Sequence, residues 1–300
     1  MLSGLELENQ VTLRAAEVEA TAILRIVTVP LPETPEGVIG QIQNGGDSTI
    51  QDAAAARIGA LLEIGHQILH SQGDPNTADT WWEAGAFDAL ETVLRDGVPL
   101  EQEAAAWGMW NLMAVVDRPV EQHVVSEVIR LLMYGSADGK EAAAGALGNM
   151  MSNVNAENAS FAAEQGALSL LVDLLDHNRM STKEVAATAL GNLLLSDHSN
   201  QSVMLSIGGM GAVLRAIEYG SPAVQEEASH ALLVLMLENP QAITVFKANG
   251  GEDIVRLSQL ASMEMTPQTR EYLQQVEIEC NHHPDEAALL QASQEAVAHA

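Results

Sequence analysis

The sequence predicts an all-α chain whose helices stack side by side as a solenoid, and three observations lead there. First, a helical phrase recurs four times between Glu101 and Leu260: EAAAWGMWN (Glu103 to Asn111), KEAAAGALGN (Lys140 to Asn149), KEVAATALGN (Lys183 to Asn192) and the divergent EEASHALLV (Glu226 to Val234). A period of about 40 residues built from helical phrases marks an array in which each unit buries its apolar face only against its neighbours. Second, apolar residues make up 47% of the chain while aromatics make up 3%, so Ala, Leu, Val and Met do the packing and helices approach closely. Third, runs of alternating β-branched or aromatic residues are absent, which leaves no strand signal.

The elements follow in order. Residues 1–30 read as an N-terminal helix, with Val11, Ala15, Val18, Ala22 and Leu24 at helical spacing, stopped by Pro30 and Pro32. Residues 31–46, rich in Pro, Gly, Asn and Gln, read as a linker. The solenoid spans 47–262. Its first, divergent unit starts with a helix capped at Asp47 or Ser48 and running through Ile58, Leu61 and Ile68. After the turn Gly73 to Asn76 comes a short helix holding Trp81 and Trp82, then AGAFDALETVLRDG (Ala84 to Gly97). Later units each begin with an acid-led helix and a polar break, followed by one or two helices ending in an LL or LV pair. Asn158 and Asn200 each stand eight residues before Gly166 and Gly208, which predicts matched short helices between them. Residues 263–300 read as two acidic helices, one starting at Thr266-Pro267 and one at His283-Pro284-Asp285.

Charge and cysteine content exclude several classes. With 41 acidic and 13 basic residues the formal net charge is −28, a field that repels phosphate backbones and anionic lipid surfaces and attracts basic partner segments. The same charge keeps an apolar solenoid soluble. The single cysteine, Cys280, rules out an internal disulfide and fits a reducing compartment. No run approaches the roughly 18 apolar residues of a membrane span, and the acidic start LELENQ is unlike a leader peptide. The expectation is an intracellular protein, cytoplasmic or nuclear, with no membrane insertion and no nucleic-acid partner.

Ala142 to Asn149 and Val185 to Asn192 carry an A-x-x-A-L-x-N phrase, and Gly166-Ala167-Leu168 with Leu171 to Leu175 carries a G-A-L-x-x-L-V-x-L-L phrase. In these residues the chain resembles the armadillo-repeat family, over roughly the middle two thirds of its length. The resemblance implies a right-handed α-solenoid of about five three-helix repeats, with extra N- and C-terminal helices and a concave groove lined by the third helix of each repeat.

Residues four apart share a helix face. Glu103, Trp107 and Asn111 therefore align, as do Glu141, Gly145 and Asn149, Glu184, Thr188 and Asn192, and Glu226, His230 and Val234. The predicted peptide-binding groove is Glu103, Trp107, Asn111, Glu141, Asn149, Glu184, Thr188, Asn192 and His230. An Asn amide both donates and accepts, so a ladder of them suits the backbone of an extended peptide, or equally ties adjacent third helices together. Trp107 with Asn111 is similar to the Trp-x-x-x-Asn pair of the family's nuclear-import adaptors, where the indole flanks Lys or Arg stems. Gly145, Thr188 and His230 replace the Trp in later units, so that function does not carry over. Trp81 and Trp82 read as packing residues.

No catalytic constellation appears, and no cofactor or metal is called for. His66 and His70 lack the glutamate of an H-E-x-x-H motif, since Gln67 stands there. Cys280, His282, His283 and Asp285 lack a second ligand set. Met109, Met113, Met133, Met150, Met151 and Met204 read as core fillers. The function expected is a non-enzymatic protein–protein adaptor holding an extended basic segment in an acidic groove. The alternatives are a structural subunit of a large cytoskeletal or organellar assembly, and an armadillo-type nucleotide-exchange regulator of a heat-shock chaperone.

Overall fold

The computed structural model of the chain describes residues 34–44, 75–116, 118–152, 156–261 and 265–282; the helices expected over 5–29, 47–68 and 285–298 lie outside them, as do His66, His70, His283 and Asp285. Among the described residues every regular element is a helix, and none is long and apolar enough to cross a membrane. The chain forms two compact units, Met1–Asn153 and Val154–Ala300.

Unit one contains α1 (Pro35–Asn44), α2 (Pro75–Glu83), α3 (Ala86–Asp96), α4 (Pro99–Met113), α5 (Gln122–Tyr134) and α6 (Ala137–Met151). Composition assigns 31–46 to a linker, yet α1 lies inside it. Val38, Ile39 and Ile42 fall on one helical face and are buried as α1 packs against α3, and that small apolar stripe outweighs the Pro and Gly content. α4 and α6 are third helices of successive repeats and pack against each other. Each is also backed by the helix before it, α3 for α4 and α5 for α6. Their inner faces are largely alanine: Ala104, Ala105, Ala106, Ala142, Ala143, Ala144 and Ala146 are buried, with Met109, Leu112, Leu147 and Met151 filling the remaining space. Alanine sets a short separation between helix axes, and each fully buried Leu or Met contributes about 1.5–3 kcal/mol.

Unit two contains α7 (Ala156–Glu164), α8 (Ala167–Leu175), α9 (Met180–Ser196), α10 (Ser199–Ser206), α11 (Gly209–Tyr219), α12 (Pro222–Met236), α13 (Pro240–Ala248), α14 (Gly251–Ala261) and α15 (Pro267–His282). It repeats a short helix, a medium helix and a long helix three times. The long helices α9, α12 and α15 pack in series, so Pro267–His282 is the third helix of a repeat, seated on α12.

The turn between short and medium helix is made by a glycine in the left-handed region: Gly166 at φ 85°, Gly208 at 76° and Gly250 at 72°, with Gly85 at 89° doing the same between α2 and α3. Only glycine takes this conformation without a Cβ penalty. The predicted short helices after Asn158 and Asn200 fall into place around these turns. Between α4 and α5, residues 114–121 contain no such glycine, and no short helix is present among the described residues there. Buried amides tie the breaks of unit two. Asn200 Nδ2 donates to the Ala159 and Leu193 carbonyls at 3.2 and 3.0 Å, Gln201 Nε2 to the Val234 carbonyl at 2.9 Å, and Asn239 Nδ2 to Gln201 Oε1 at 2.9 Å.

The medium helices α5 and α11 each carry an arginine bonded to a neighbouring segment. Arg215 on α11 holds Asp176, just past α8, through two bonds of 2.7 and 3.3 Å, which pulls the Asp176 carboxyl below its ordinary range. Arg130 on α5 donates to the Leu94 carbonyl at 3.0 Å and pairs with Glu127 at 2.7 Å.

A Cβ placed on Gly166 or Gly208 meets nothing within 4 Å, so only backbone strain opposes substitution there. Gly166→Ala and Gly208→Ala are each expected to destabilise the chain by about 1–2 kcal/mol, and Asn at either position by less, as measured by urea unfolding.

Candidate functional site

The third helices bring the predicted residues onto one face within each unit. In unit one that face holds Glu103, Trp107 and Asn111 on α4 and Glu141 and Asn149 on α6. Trp107 is half-buried, its ring stacked on Trp110 with centroids 4.6 Å apart and planes 26° apart. Trp110 in turn lies flat over Gly145, where a Cβ would overlap the indole. Gly145 is therefore not a vacancy left by a missing tryptophan; it is the floor on which Trp110 rests. This socket is what permits an aromatic pair on a helix otherwise packed with alanine.

The asparagines serve as ties. Asn111 Nδ2 donates to the Trp107 carbonyl of its own helix at 3.0 Å, and Asn149 Nδ2 donates across to the Trp110 carbonyl at 2.7 Å. Neither Oδ1 takes a partner among the described residues, so both side chains are half-buried with an acceptor left for another molecule.

The acids behave differently from the sequence expectation that they face the groove. Glu103 and Glu141 are 6% and 7% exposed, beneath the surface. The hydroxyl of Ser136, the N-cap of α6, lies close enough to Glu103 to favour its ionised form, and the same Oγ accepts from the Gly139 N–H at 3.1 Å. Unit two repeats the device. Glu226 on α12 accepts from the Thr266 hydroxyl ahead of α15, and Thr266 Oγ1 accepts from the Thr269 N–H at 3.1 Å. An acid on one third helix thus holds the capping hydroxyl of the next, which places the acid-led start of the repeated phrase in the interface. Sequence spacing shows which residues share a face but not how far along it the neighbouring helix reaches.

In unit two, Glu184, Thr188 and Asn192 lie half-buried on α9, and His230 lies half-buried on α12. The Thr188 hydroxyl sits between two acceptors, the Glu184 carbonyl at 3.1 Å and the carboxyl of Glu227. Burial, with Glu226 beside it, pushes the Glu227 carboxyl above its ordinary value despite that hydrogen bond. His230 rests against Gly191 and tilts over Tyr272 of α15, with ring centroids 5.2 Å apart. Trp110 in unit one, and Glu227 and Tyr272 in unit two, stand beside these residues although the repeated phrase does not single them out. Trp110 is legible only as a tryptophan one repeat ahead of a glycine. Trp81 is buried, and Trp82 stacks on Phe87 at 4.7 Å under Arg118, away from the third helices.

The family described as armadillo/beta-catenin-like repeat matches residues 155–195, which is the segment of α7, α8 and α9. Three similar solved structures are of engineered or designed proteins. One, described only as engineered, is 19% identical with a TM-score of 0.68, over 83% of this chain and 99% of that one. A designed armadillo repeat protein in complex with the peptide (KR)4 is 20% identical with a TM-score of 0.64, over 83% of this chain and 100% of that one. A computationally designed armadillo repeat protein for modular peptide recognition is 18% identical with a TM-score of 0.64, over 81% and 99%. No curated protein sequence matches this one. At such identities the likeness shows the fold: the repeats of this chain are armadillo repeats.

Two outcomes follow from the geometry. Gly145→Ala displaces Trp110 from its socket and is expected to destabilise unit one by about 1–3 kcal/mol, with a shift in tryptophan emission that Gly211→Ala, where a Cβ meets only ordinary contacts, does not produce. Burial holds the His230 imidazole below its ordinary value of 6.5, so its neutral form stabilises the fold fully above that value, and the contribution is lost as pH falls through the lowered one. His230→Gln is expected to flatten that limb of the stability–pH curve relative to the parent chain, measured by urea midpoints across about pH 5 to 7.5.

Proposed function

We propose that this armadillo-repeat chain is a non-enzymatic adaptor whose third-helix faces hold an extended, basic segment of a partner protein. The observation that carries the reading is the Trp107 platform in unit one, stacked on Trp110 and flanked by Asn111 and Asn149 with acceptors to spare. An indole face attracts the stem and charge of Lys or Arg, and amide oxygens take backbone N–H groups without regard to side chain. The net charge of −28 adds long-range attraction for a cationic segment. A similar designed armadillo repeat protein is in complex with the peptide (KR)4, which supports a basic occupant here.

The acids contribute through the field more than through contact. Glu103 and Glu141 are buried, so unit one engages cations by its aromatic platform, while unit two offers the half-buried Glu184 and Glu227. The proposed setting is an intracellular one, cytoplasmic or nuclear, with the armadillo-repeat solenoid spanning 47–262.

The test is fluorescence anisotropy of a labelled (KR)4 peptide against the whole chain at low and high salt. Binding is expected to weaken as salt screens the field, and Trp107→Ala is expected to weaken it about two- to fivefold at either salt, the equivalent of one exposed cation–π contact. Binding that ignores salt, Trp107→Ala and the Asn149→Ala/Asn192→Ala pair alike overturns the reading.

A further inference from the structure

Glu103 is held in a way that the packing of unit one does not explain. Its side chain lies over Gly139 in the first turn of α6, where a Cβ would stand 2.9 Å from Glu103 Cγ. The Ser136 hydroxyl acts on the carboxyl, and Oε2 is buried with no hydrogen-bond partner among the described residues. The charged groups near these two helix starts do not compensate it. Glu101 of α4 is turned to the Val98 N–H at 3.1 Å. Glu141 of α6 is itself buried, and Asp138 of α6, the charged neighbour that acts on Glu103, carries the same sign. From α3 and α5, the other helices packed on α4, no charged group bears on it. The equivalent acid of unit two differs: Glu226 is only half-buried and is bonded to Thr266 through Oε2.

An ionised carboxylate in such a place has one hydroxyl to favour it, a like charge beside it and a buried oxygen with no partner among the described residues. The positive end of the α6 dipole and the Ser136 hydroxyl favour the charge, and dry surroundings oppose it. Burial is the largest influence, and it raises the proton affinity of the group above its ordinary value. The socket therefore suits the protonated side chain better than the ionised one.

We propose that Glu103 is a proton-operated latch on the α4–α6 interface: protonated, it stays in the socket over Gly139 and clasps the α6 cap; ionised, it is drawn toward water and loosens the contact on which Trp110 rests against Gly145. The latch holds whether or not the face above it binds a basic segment. Its sign is fixed by linkage. The folded state keeps the proton to a higher pH than the unfolded chain, whose ordinary value is 4.5, so stability from the latch is full below that value. It declines as pH rises through the window up to the raised value, by as much as about tenfold per pH unit in the folding equilibrium constant, and is level beyond.

The experiment compares urea midpoints of the parent chain and Glu103→Gln from about pH 4 to 8, with tryptophan emission recorded under native conditions at each pH. The expected result is a midpoint difference that moves in favour of the glutamine variant as pH rises through the window and then stays constant, with the emission change confined to the parent. A difference that is the same at every pH overturns the proposal. Should Glu103→Gln fail to fold, Ser136→Ala serves in its place. It removes the donor that favours the ionised form and is expected to extend the declining limb to higher pH, whereas a profile superimposable on the parent's overturns the latch.

Discussion

Each unit depends on how closely its third helices approach one another. Alanine lines the contact, and at three places a glycine opens it further so that a large side chain from the neighbouring helix can lie in the gap: Glu103 over Gly139, Trp110 over Gly145 and His230 against Gly191. These sockets position everything that the face presents. Trp107 is held flat because Trp110 is seated beneath it, and Tyr272 meets a fixed imidazole because Gly191 admits one. Glycine inside a helix costs about 0.5–1 kcal/mol relative to alanine. That cost is offset here by aromatic and polar contacts that no side chain at the same position would allow.

Much of the fold was legible in the sequence because the repeat is written in residues whose backbone and packing roles are unambiguous. The alternation of acid, alanine and asparagine gave the long helices, and glycine eight residues after an asparagine gave the short ones. The linker reading of 31–46 failed at α1, where three apolar residues on one face count for more than overall composition. At the site, spacing predicts a shared face for Trp107, Asn111 and Asn149 but carries no information on the depth of each residue. Glu103 leads its phrase as a solvated acid would and yet is buried, because the cap of the following helix reaches back to it. That relation spans about one repeat and depends on the angle between two helices, which periodicity within one helix does not encode.

The two units present chemically unlike faces from one repeated plan. Unit one offers an aromatic platform with two amide acceptors and keeps its acids below. Unit two offers a hydroxyl, a histidine, a tyrosine and half-buried carboxylates. Their buried ionisable groups also pull in opposite directions: lowering the pH relieves Glu103 and burdens His230. Stability as a function of pH is therefore a composite, and a single midpoint averages two curves that slope against each other.

The acid excess takes a different meaning once the employment of individual carboxylates is known. Glu101, Glu103 and Glu226 work as hydrogen-bond acceptors for backbone N–H groups or capping hydroxyls, and the cations Arg130 and Arg215 are engaged on the medium helices. Such engagement leaves the formal charges in place while removing the oxygens from contact with a visitor. On the proposed reading a basic segment meets at a distance the summed field of −28, and on arrival the indole and amides of unit one or the phenol of unit two. A field of this kind speeds encounter and is weakened by salt, whereas short-range contacts set the residence time. Recognition on the proposed terms favours a cationic chain in general and leaves the choice among such chains to the few side chains that the glycine sockets support.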